Sequence, residues 1–519
     1  MSKSTTSPAA SKKTPEPWLT QRASGVLLHP TSLPSPTGVG NFGTGARRFV
    51  DFLAASGFRY WQMCPLSPTG FGDSPYQCFS AFAGNAYLID LEALVPAGLL
   101  SHEELAPLHA LPDDFADYEQ LHEPFWEILD RATERFLDNP RDLEGCGTFA
   151  DFKHAHAAWL DAYAAYIACK AYQKGAPWYE WPLDVRSYAK FKDSKLAKQL
   201  AREMEAMRFV QYVFAGQWQQ LRAYASQRGI GIIGDAPIFV ALDSADVWEH
   251  PELFQLDAKT LKPTYVAGVP PDYFSETGQM WGNPLYAWEA HEKDSYAWWI
   301  RRLKANFETF DIVRIDHFIG FQNYWRIPAD ADDARSGKWV PGPGKKFFDA
   351  VANALPGAQL IAEDLGILTD EVKQLRDDCG FPGMAVLHFA FGGDADNPYL
   401  PHNHKQNQVV YPGTHDNDTT LGWYGAEADH VTDHFRRYFE TDGAAPQWTL
   451  LKTSLKSPAR LAVVVLQDLM NLGTEARLNT PGTALGNWQW RYQPDQLNRL
   501  WSDSGEYLKY LNQLYGRLL

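Results

Sequence analysis

Eight short apolar runs, spread along nearly the whole chain, constrain the fold most: Gly25 to His29, Tyr60 to Pro65, Gly231 to Val240, Ile312 to Asp316, Leu360 to Asp364, Met384 to Phe389, Val409 to Asp416, and Leu461 to Gln467. They are rich in Val, Ile and Leu and do not alternate with polar residues, as expected of parallel strands covered on both faces. Helical patterns fall between most of them. Ala46 to Ser56 carries Phe49, Val50, Phe52 and Leu53 and stops at Gly57, and Thr369 opens an amphipathic run that ends near Gly380. Strand-helix alternation of this kind implies right-handed βαβ units, and eight of them make a (β/α)8 barrel. The stretch from Phe389 to Val409 shows no convincing helix, which makes it the weakest crossover of the barrel.

Residues 1–17 are rich in Ser, Thr, Pro, Ala and Lys and read as a disordered leader. Residues 18–519 read as a single catalytic domain with a mostly helical insertion at about 92–225 and a mouth-covering insertion at about 243–283. No Ser- or Gly-rich linker divides this body, and no separate C-terminal β-sandwich is expected.

Composition narrows the partners. The formal charge of −16, from 63 acidic against 47 basic residues, repels phosphate backbones and anionic lipid surfaces, so neither nucleic acid nor membrane is expected to bind. Five dispersed cysteines without a Cys-x-x-Cys pair argue for a reducing compartment and against a zinc cluster. No membrane span or signal core is evident, so the expected location is the cytoplasm, or the plastid stroma if the source is a plant. The 19 Trp residues fill cores, and they also suit grooves that hold sugar rings.

Three strand-end carboxylates, Asp316, Glu363 and Asp416, lie in the fourth, fifth and seventh runs, at the end of the barrel where reacting groups gather. Acids are costly to bury without a use. Cleaving an acetal between two sugars needs a proton for the departing oxygen and an electron-rich group at the anomeric carbon, which two carboxyl groups supply. Arg314 and Asp316 sit two residues apart on one strand face, so a guanidinium beside the aspartate favours its charged form and marks Asp316 as nucleophile. Glu363 emerges from Leu360, Ile361 and Ala362, and this apolar approach keeps its carboxyl protonated near neutrality, as a general acid requires. Its neighbour Asp364 faces the other way and reads as structural. Pro412 and Gly413 predict a bulge that turns His415 and Asp416 into the cavity.

The motifs His29-Pro-Thr-Ser-Leu-Pro, Gly72-Asp-Ser-Pro-Tyr-Gln, Gly234-Asp-Ala-Pro-Ile-Phe-Val, Gly268-Val-Pro-Pro-Asp-Tyr-Phe-Ser-Glu-Thr-Gly-Gln, Arg314-Ile-Asp-His-Phe, Ala362-Glu-Asp-Leu-Gly, Gly413-Thr-His-Asp-Asn-Asp-Thr and Gly486-Asn-Trp carry a resemblance. From about Gly25 to Trp490 the chain resembles the amylomaltases, the 4-α-glucanotransferases of glycoside hydrolase family 77 in the α-amylase clan. The resemblance implies that Asp316 forms a β-linked glucosyl-enzyme intermediate, that Glu363 is the acid/base, and that Asp416 holds sugar hydroxyls and stabilises the distorted, oxocarbenium-like state. It also implies that Arg314, His317, His415 and Asp235 surround the sugar at the cleavage point. Ser74 and Tyr76 fall in the segment closing the donor side, Gln279 and Trp281 in the loop over the acceptor side, and Asn487 in a loop after the last strand. The expected activity is retaining transfer among maltooligosaccharides and linear α-1,4-glucans, with an amylase-type hydrolase as the alternative. The two carboxyl groups that react should then lie about 5 to 5.5 Å apart. No metal or cofactor is expected, since this chemistry needs none and no Cys/His or EF-hand spacing occurs. A monomer or weak dimer is expected.

Overall fold

The computed structural model describes residues 18–271, 275–366 and 368–518, and the leader expected over residues 1–17 lies outside the described residues. Among those described, twelve strands form: β1 (Ala23–Leu27), β2 (Tyr60–Gln62), β3 (Gly231–Ala236), β4 (Tyr265–Val269), β5 (Gln279–Pro284), β6 (Ile312–Ile315), β7 (Asn323–Pro328), β8 (Lys338–Pro341), β9 (Leu360–Ala362), β10 (Gly383–Val386), β11 (Gln408–Tyr411) and β12 (Leu461–Val465). Eight of them, one from each apolar run, pair in parallel in chain order as β1, β2, β3, β6, β9, β10, β11 and β12. β12 returns to β1 in register from Ala23↔Leu461 to Leu27↔Val465. Between β9 and β10 the Ala362 N–H donates to the Pro382 carbonyl at 2.9 Å. The result is the expected (β/α)8 barrel.

Prolines trim the strands. β3 stops before Pro237 and β11 before Pro412, since neither proline has an N–H to give to the ladder. The bulge expected at Pro412 and Gly413 is therefore not formed; the strand ends at Tyr411 and a turn follows.

Helices cover the barrel, and their boundaries follow local chemistry. Thr44–Ala55 buries Phe49, Val50, Phe52 and Leu53 and gives way to Gly57 at φ +78°. Asp370–Cys379 follows Thr369 and ends on Gly380 in the left-handed conformation, which glycine adopts without a Cβ clash. Between β10 and β11 no α-helix occurs among the described residues, and 3-10 turns at Leu387–Phe389 and Pro401–Asn403 carry the crossover. Between β2 and β3 lie the three long helices Tyr118–Asp138, Phe149–Tyr172 and Ala201–Gln227, locked by aromatic packing such as Phe136 on Phe209 at 4.1 Å between ring centroids. No helix among the described residues is long and apolar enough to cross a membrane.

Alternate strand residues fill the barrel interior. Ile233, Ile312, Ile361, Val409, Leu461 and Val463 form one buried cluster with Leu19. Trp18 packs against it and donates from Nε1 to the Leu360 carbonyl at 3.0 Å, so the segment before β1 plugs the end where the strands begin. That leaves the opposite mouth for polar groups.

A second sheet was not anticipated. β5, β4, β7 and β8 pair antiparallel in that order, with β4 matched to β7 from Tyr265↔Pro328 to Gly268↔Trp325. It brings Gln279 and Trp281 on β5 toward the mouth.

Candidate active site

Side-chain parity carries the interior of the barrel into the site. Ile233 and Asp235 on β3, Ile312 and Arg314 on β6, and Ile361 on β9 all face inward, and the register sets Asp235 against Arg314 and Arg314 against Ile361. One step further, Ile315 pairs with Ala362, so Asp316 and Glu363 are the next neighbours, just past the last paired residues of β6 and β9. The Glu363 N–H donates to the Ile315 carbonyl at 3.0 Å and the Phe318 N–H to the Glu363 carbonyl at 3.0 Å, which holds the two strand ends side by side.

A guanidinium forms the floor beneath them. Nη1 of Arg314 donates to both oxygens of Asp235, at 2.8 and 2.6 Å, and to Oδ1 of Asp316 at 3.0 Å. Tyr76 donates its hydroxyl to Oδ2 of Asp235 at 2.8 Å. Burial raises the Asp235 carboxyl, while the Arg314 charge opposes the rise and the nearby Asp316 adds to it.

Glu363 accepts two backbone N–H groups, from His317 at 2.7 Å and from Leu365 at 2.9 Å. Those bonds and the Arg314 charge favour the ionised form. Burial outweighs them and, with the Asp316 charge, pushes the carboxyl up to about 7. His317 sits at φ +50°, an uncommon conformation for a residue with a Cβ. Burial holds its imidazole down at about 4, its ring meets Trp281 in a T-shaped contact at 5.0 Å and 88°, and its Nε2 has no hydrogen-bond partner among the described residues.

Asp416 comes from the turn after β11. Thr414 donates from its N–H and its hydroxyl to Oδ1 of Asn417, at 2.9 and 3.0 Å, and this closes the turn. Asp416 pairs with Nε2 of His415 at 3.3 Å and accepts from Nδ2 of Asn479 at 2.6 Å, while Arg477 donates to its carbonyl at 2.9 Å. Burial raises the Asp416 carboxyl, but the His415 charge and the bonds from His415 and Asn479 prevail and hold it at about 2. Burial likewise lowers His415, and the Asp416 charge overcomes this to raise it. Arg314 touches Asp316 directly, and contacts running from Arg314 through Asp235, Tyr76 and His415 reach Asp416, so the three carboxylates gather at one mouth.

Tyr76 ties the sides together. Its ring stacks on His415 at 5.2 Å and 14°, and both rings lie 5.9 Å from Trp488. Oγ of Ser74 accepts the Tyr76 N–H at 3.3 Å and so shapes the turn that delivers this ring. Gln279 accepts from Nε1 of Trp281 at 3.1 Å. Among the described residues, the hydrogen bonds of Asn487 run to Thr480 and Thr483, within its own loop, and none joins it to the carboxylates. Residues 272–274 of the Gly268 motif lie outside the described residues. Sequence reasoning missed Arg477 and Asn479, and it gave Trp488 of the Gly486-Asn-Trp motif no role. The only signal for Arg477 and Asn479 is their place after β12, where a barrel puts site loops. Asp364 binds Arg376 and the Met384 N–H, away from the mouth. No group of three or more His, Cys, Asp or Glu residues fit to hold a metal occurs among the described residues.

The architecture and the sequence agree with known proteins. The family model described as 4-alpha-glucanotransferase matches residues 28–498. The 4-alpha-glucanotransferase of Thermus thermophilus is 48% identical over 488 residues, which cover 92% of this chain and 96% of that protein. That of Synechocystis sp. is 46% identical over 506 residues, covering 96% and 99%. Among solved structures, amylomaltase from Streptococcus agalactiae in complex with acarbose matches with a TM-score of 0.90 at 36% identity, covering 96% of this chain and all of that one. Family model, identity and fold thus coincide over nearly all the described residues, and the chain belongs to the 4-alpha-glucanotransferase family.

Proposed function

We propose that this chain moves α-1,4-glucan segments between maltooligosaccharides, or linear chains derived from starch or glycogen, by double displacement with retention at the anomeric carbon. The observation that carries the reading is the adjacency of Asp316 and Glu363, one step past the pair Ile315↔Ala362. Parallel strands lie about 4.8 Å apart, which suits the short carboxylate separation of a retaining enzyme.

In the first displacement Glu363 gives its proton to the glycosidic oxygen while Asp316 attacks the anomeric carbon. The bond to the departing sugar breaks and a glucosyl ester forms. In the second, the 4-hydroxyl of an acceptor returns a proton to Glu363 as its oxygen attacks the same carbon and the ester bond breaks. The raised Glu363 carboxyl supports its acid role. Asp416, held ionised by His415 and Asn479, stabilises positive charge on the ring and binds sugar hydroxyls.

Arg314 fixes Asp316, Asp235 anchors Arg314 and Tyr76, and the neutral His317 and the His415 ring bound the reacting sugar. The Tyr76 face supports the donor, with Ser74 shaping its turn, and Gln279 with Trp281 guides the acceptor. Asn487 frames the loop that carries Trp488. Residues 18–519 act as one catalytic domain with insertions at about 92–225 and 243–283. The protein works as a monomer or weak dimer in cytoplasm or plastid stroma.

Incubation with maltotriose alone tests the reading. Transfer gives glucose and a ladder of longer oligomers with constant reducing ends; a steady rise in reducing ends assigns a hydrolase instead. Asp316→Asn should abolish turnover and retain glucan binding, and full activity in that variant removes the nucleophile assignment.

A further inference from the structure

Behind the Asp416 turn lies a second polar chain that takes no part in the steps above. Asp468, in the helix Leu466–Leu469 that follows β12, is buried. Its Oδ1 accepts the Thr420 N–H at 2.7 Å and its Oδ2 the Thr420 hydroxyl at 2.6 Å. The Thr420 oxygen also lies 3.0 Å from Nε2 of His388, which follows β10. His388 is buried, its ring stacks on Trp423 at 4.5 Å and 5°, and its backbone N–H donates to the Pro412 carbonyl at 3.0 Å.

The chain has a direction. Burial pushes the Asp468 carboxyl up to about 6 against the two Thr420 bonds, so above that pH it is ionised and can only accept; Thr420 then gives its one hydroxyl proton to Asp468 and has only lone pairs left for His388. Nε2 of His388 must therefore carry the imidazole proton, and Nδ1 is left as a bare acceptor. The structure agrees, since Nδ1 of His388 finds no hydrogen-bond partner among the described residues. That edge of the ring lies against Gly413, where an added Cβ would meet Cε1 at 2.7 Å and Nδ1 at 2.9 Å. The ring thus leaves the Gly413 backbone one place to run, and the turn that presents His415 and Asp416 begins there.

We propose that Asp468, Thr420 and His388 are positioning residues that fix the turn from Gly413 to Asn417, and with it Asp416, in its reactive placement. The inference rests on the reading of Asp416 as a carboxylate that acts on the sugar. None of the three touches the reacting atoms, so their loss acts through placement.

Kinetics with maltotriose on the full chain, with thermal unfolding and nitrogen NMR of the imidazoles, tests this. Thr420→Val removes the hydroxyl at nearly constant shape, and kcat should fall on the order of 10- to 100-fold with KM within about threefold. Thr420→Ser restores the hydroxyl and should recover most of kcat. Wild-type protein should show His388 protonated on Nε2, with its signal identified by its loss in His388→Gln. In Asp468→Asn the amide donates to Thr420, which turns its hydroxyl toward His388 and moves the ring proton to Nδ1.

Wild-type kcat in a folded Thr420→Val, or a wild-type His388 protonated on Nδ1, overturns the proposal. If Thr420→Val does not fold, Asp468→Asn decides: lowered kcat with the proton on Nδ1 supports it, and unchanged kcat or an unmoved proton overturns it. Asp416→Asn separates the two readings. Full activity there removes the role of Asp416 itself, whereas an inactive Asp416→Asn beside a fully active Thr420→Val removes only the positioning chain.

Discussion

The backbone N–H of His317 donates to Oε2 of Glu363 at 2.7 Å, from a residue held at φ +50°. The turn that follows β6 thereby grips the carboxyl that follows β9, and the proposed nucleophile lies directly before the gripping residue. A bond that would favour the carboxylate is overridden by burial, which leaves Glu363 near 7. That balance has consequences for pH.

Activity should decline on the alkaline side. The first displacement needs protonated Glu363, so kcat/KM with maltotriose should fall tenfold per pH unit above a midpoint near 7. A pH profile checks this, and a flat rate to pH 9 would remove Glu363 as the acid.

Stability should move the same way. The folded Glu363 value lies above its ordinary 4.5, so its contribution is full below about 4.5 and is lost as pH rises through about 7. Glu363→Gln, which cannot ionise, should match wild type at pH 4 and exceed it by about 1 to 3 kcal/mol at pH 8. Denaturant unfolding at the two values measures it, and a gain at acid pH instead would contradict the burial argument.

Asp416→Asn should lower kcat on the order of 100- to 1,000-fold while leaving the fold intact, because a charge aimed at the oxocarbenium-like ring is replaced by a dipole. The His415 imidazole, raised mainly by the Asp416 charge against the effect of burial, should titrate lower in the variant. Steady-state kinetics and histidine NMR check the two parts separately.

Trp281→Ala should shift the partition of the glucosyl ester toward water. Trp281 packs against His317 in a T-shaped contact at the mouth, and removing it opens the acceptor side. Glucose release per transfer event should rise about 5- to 50-fold. Wild-type partition would move acceptor control to other residues.

Arg517 makes a prediction far from the chemistry. Its buried guanidinium donates to the carbonyls of Ala23, Ser454, Leu455, Ser457, Ala459 and Arg460. Arg517→Ala takes a donor from all six; Leu455 and Ser457 keep Arg22 and Arg460 keeps the Ala23 N–H, so the loss falls on the others and on the emptied space, and should cost about 2 to 4 kcal/mol of stability, with kcat unchanged at low temperature. Chemical denaturation beside kinetics distinguishes the two effects.

The barrel was legible because strands buried on both faces must be apolar along their length, as Leu461–Val465 is. The second sheet was not, because β4 pairs with β7 on the far side of β6 in the chain, and Gly268 and Pro270 interrupt the local pattern. The carboxylates after β6 and β9 stood out because each ends an apolar run. Asp416 stood out in the same way, at the end of the run from Val409, while the bulge expected to deliver it became a strand end. Asn479, Arg477 and the Asp468 chain belong to irregular loops or short helices, where polar residues show no period. Only the folded chain reveals that their partners lie after β10 and β11.

The pairing of β1 with β12 sets a condition on how this molecule is made. A sheet whose first strand hydrogen-bonds to its eighth cannot seal while the ribosome still holds the segment around Leu461. Until then the apolar edge of β1 stays open, and the Arg517 clamp across that seam can form only afterwards. Translation pauses or chaperones that shield that edge should therefore govern the yield of native protein more than changes at the sugar-binding mouth.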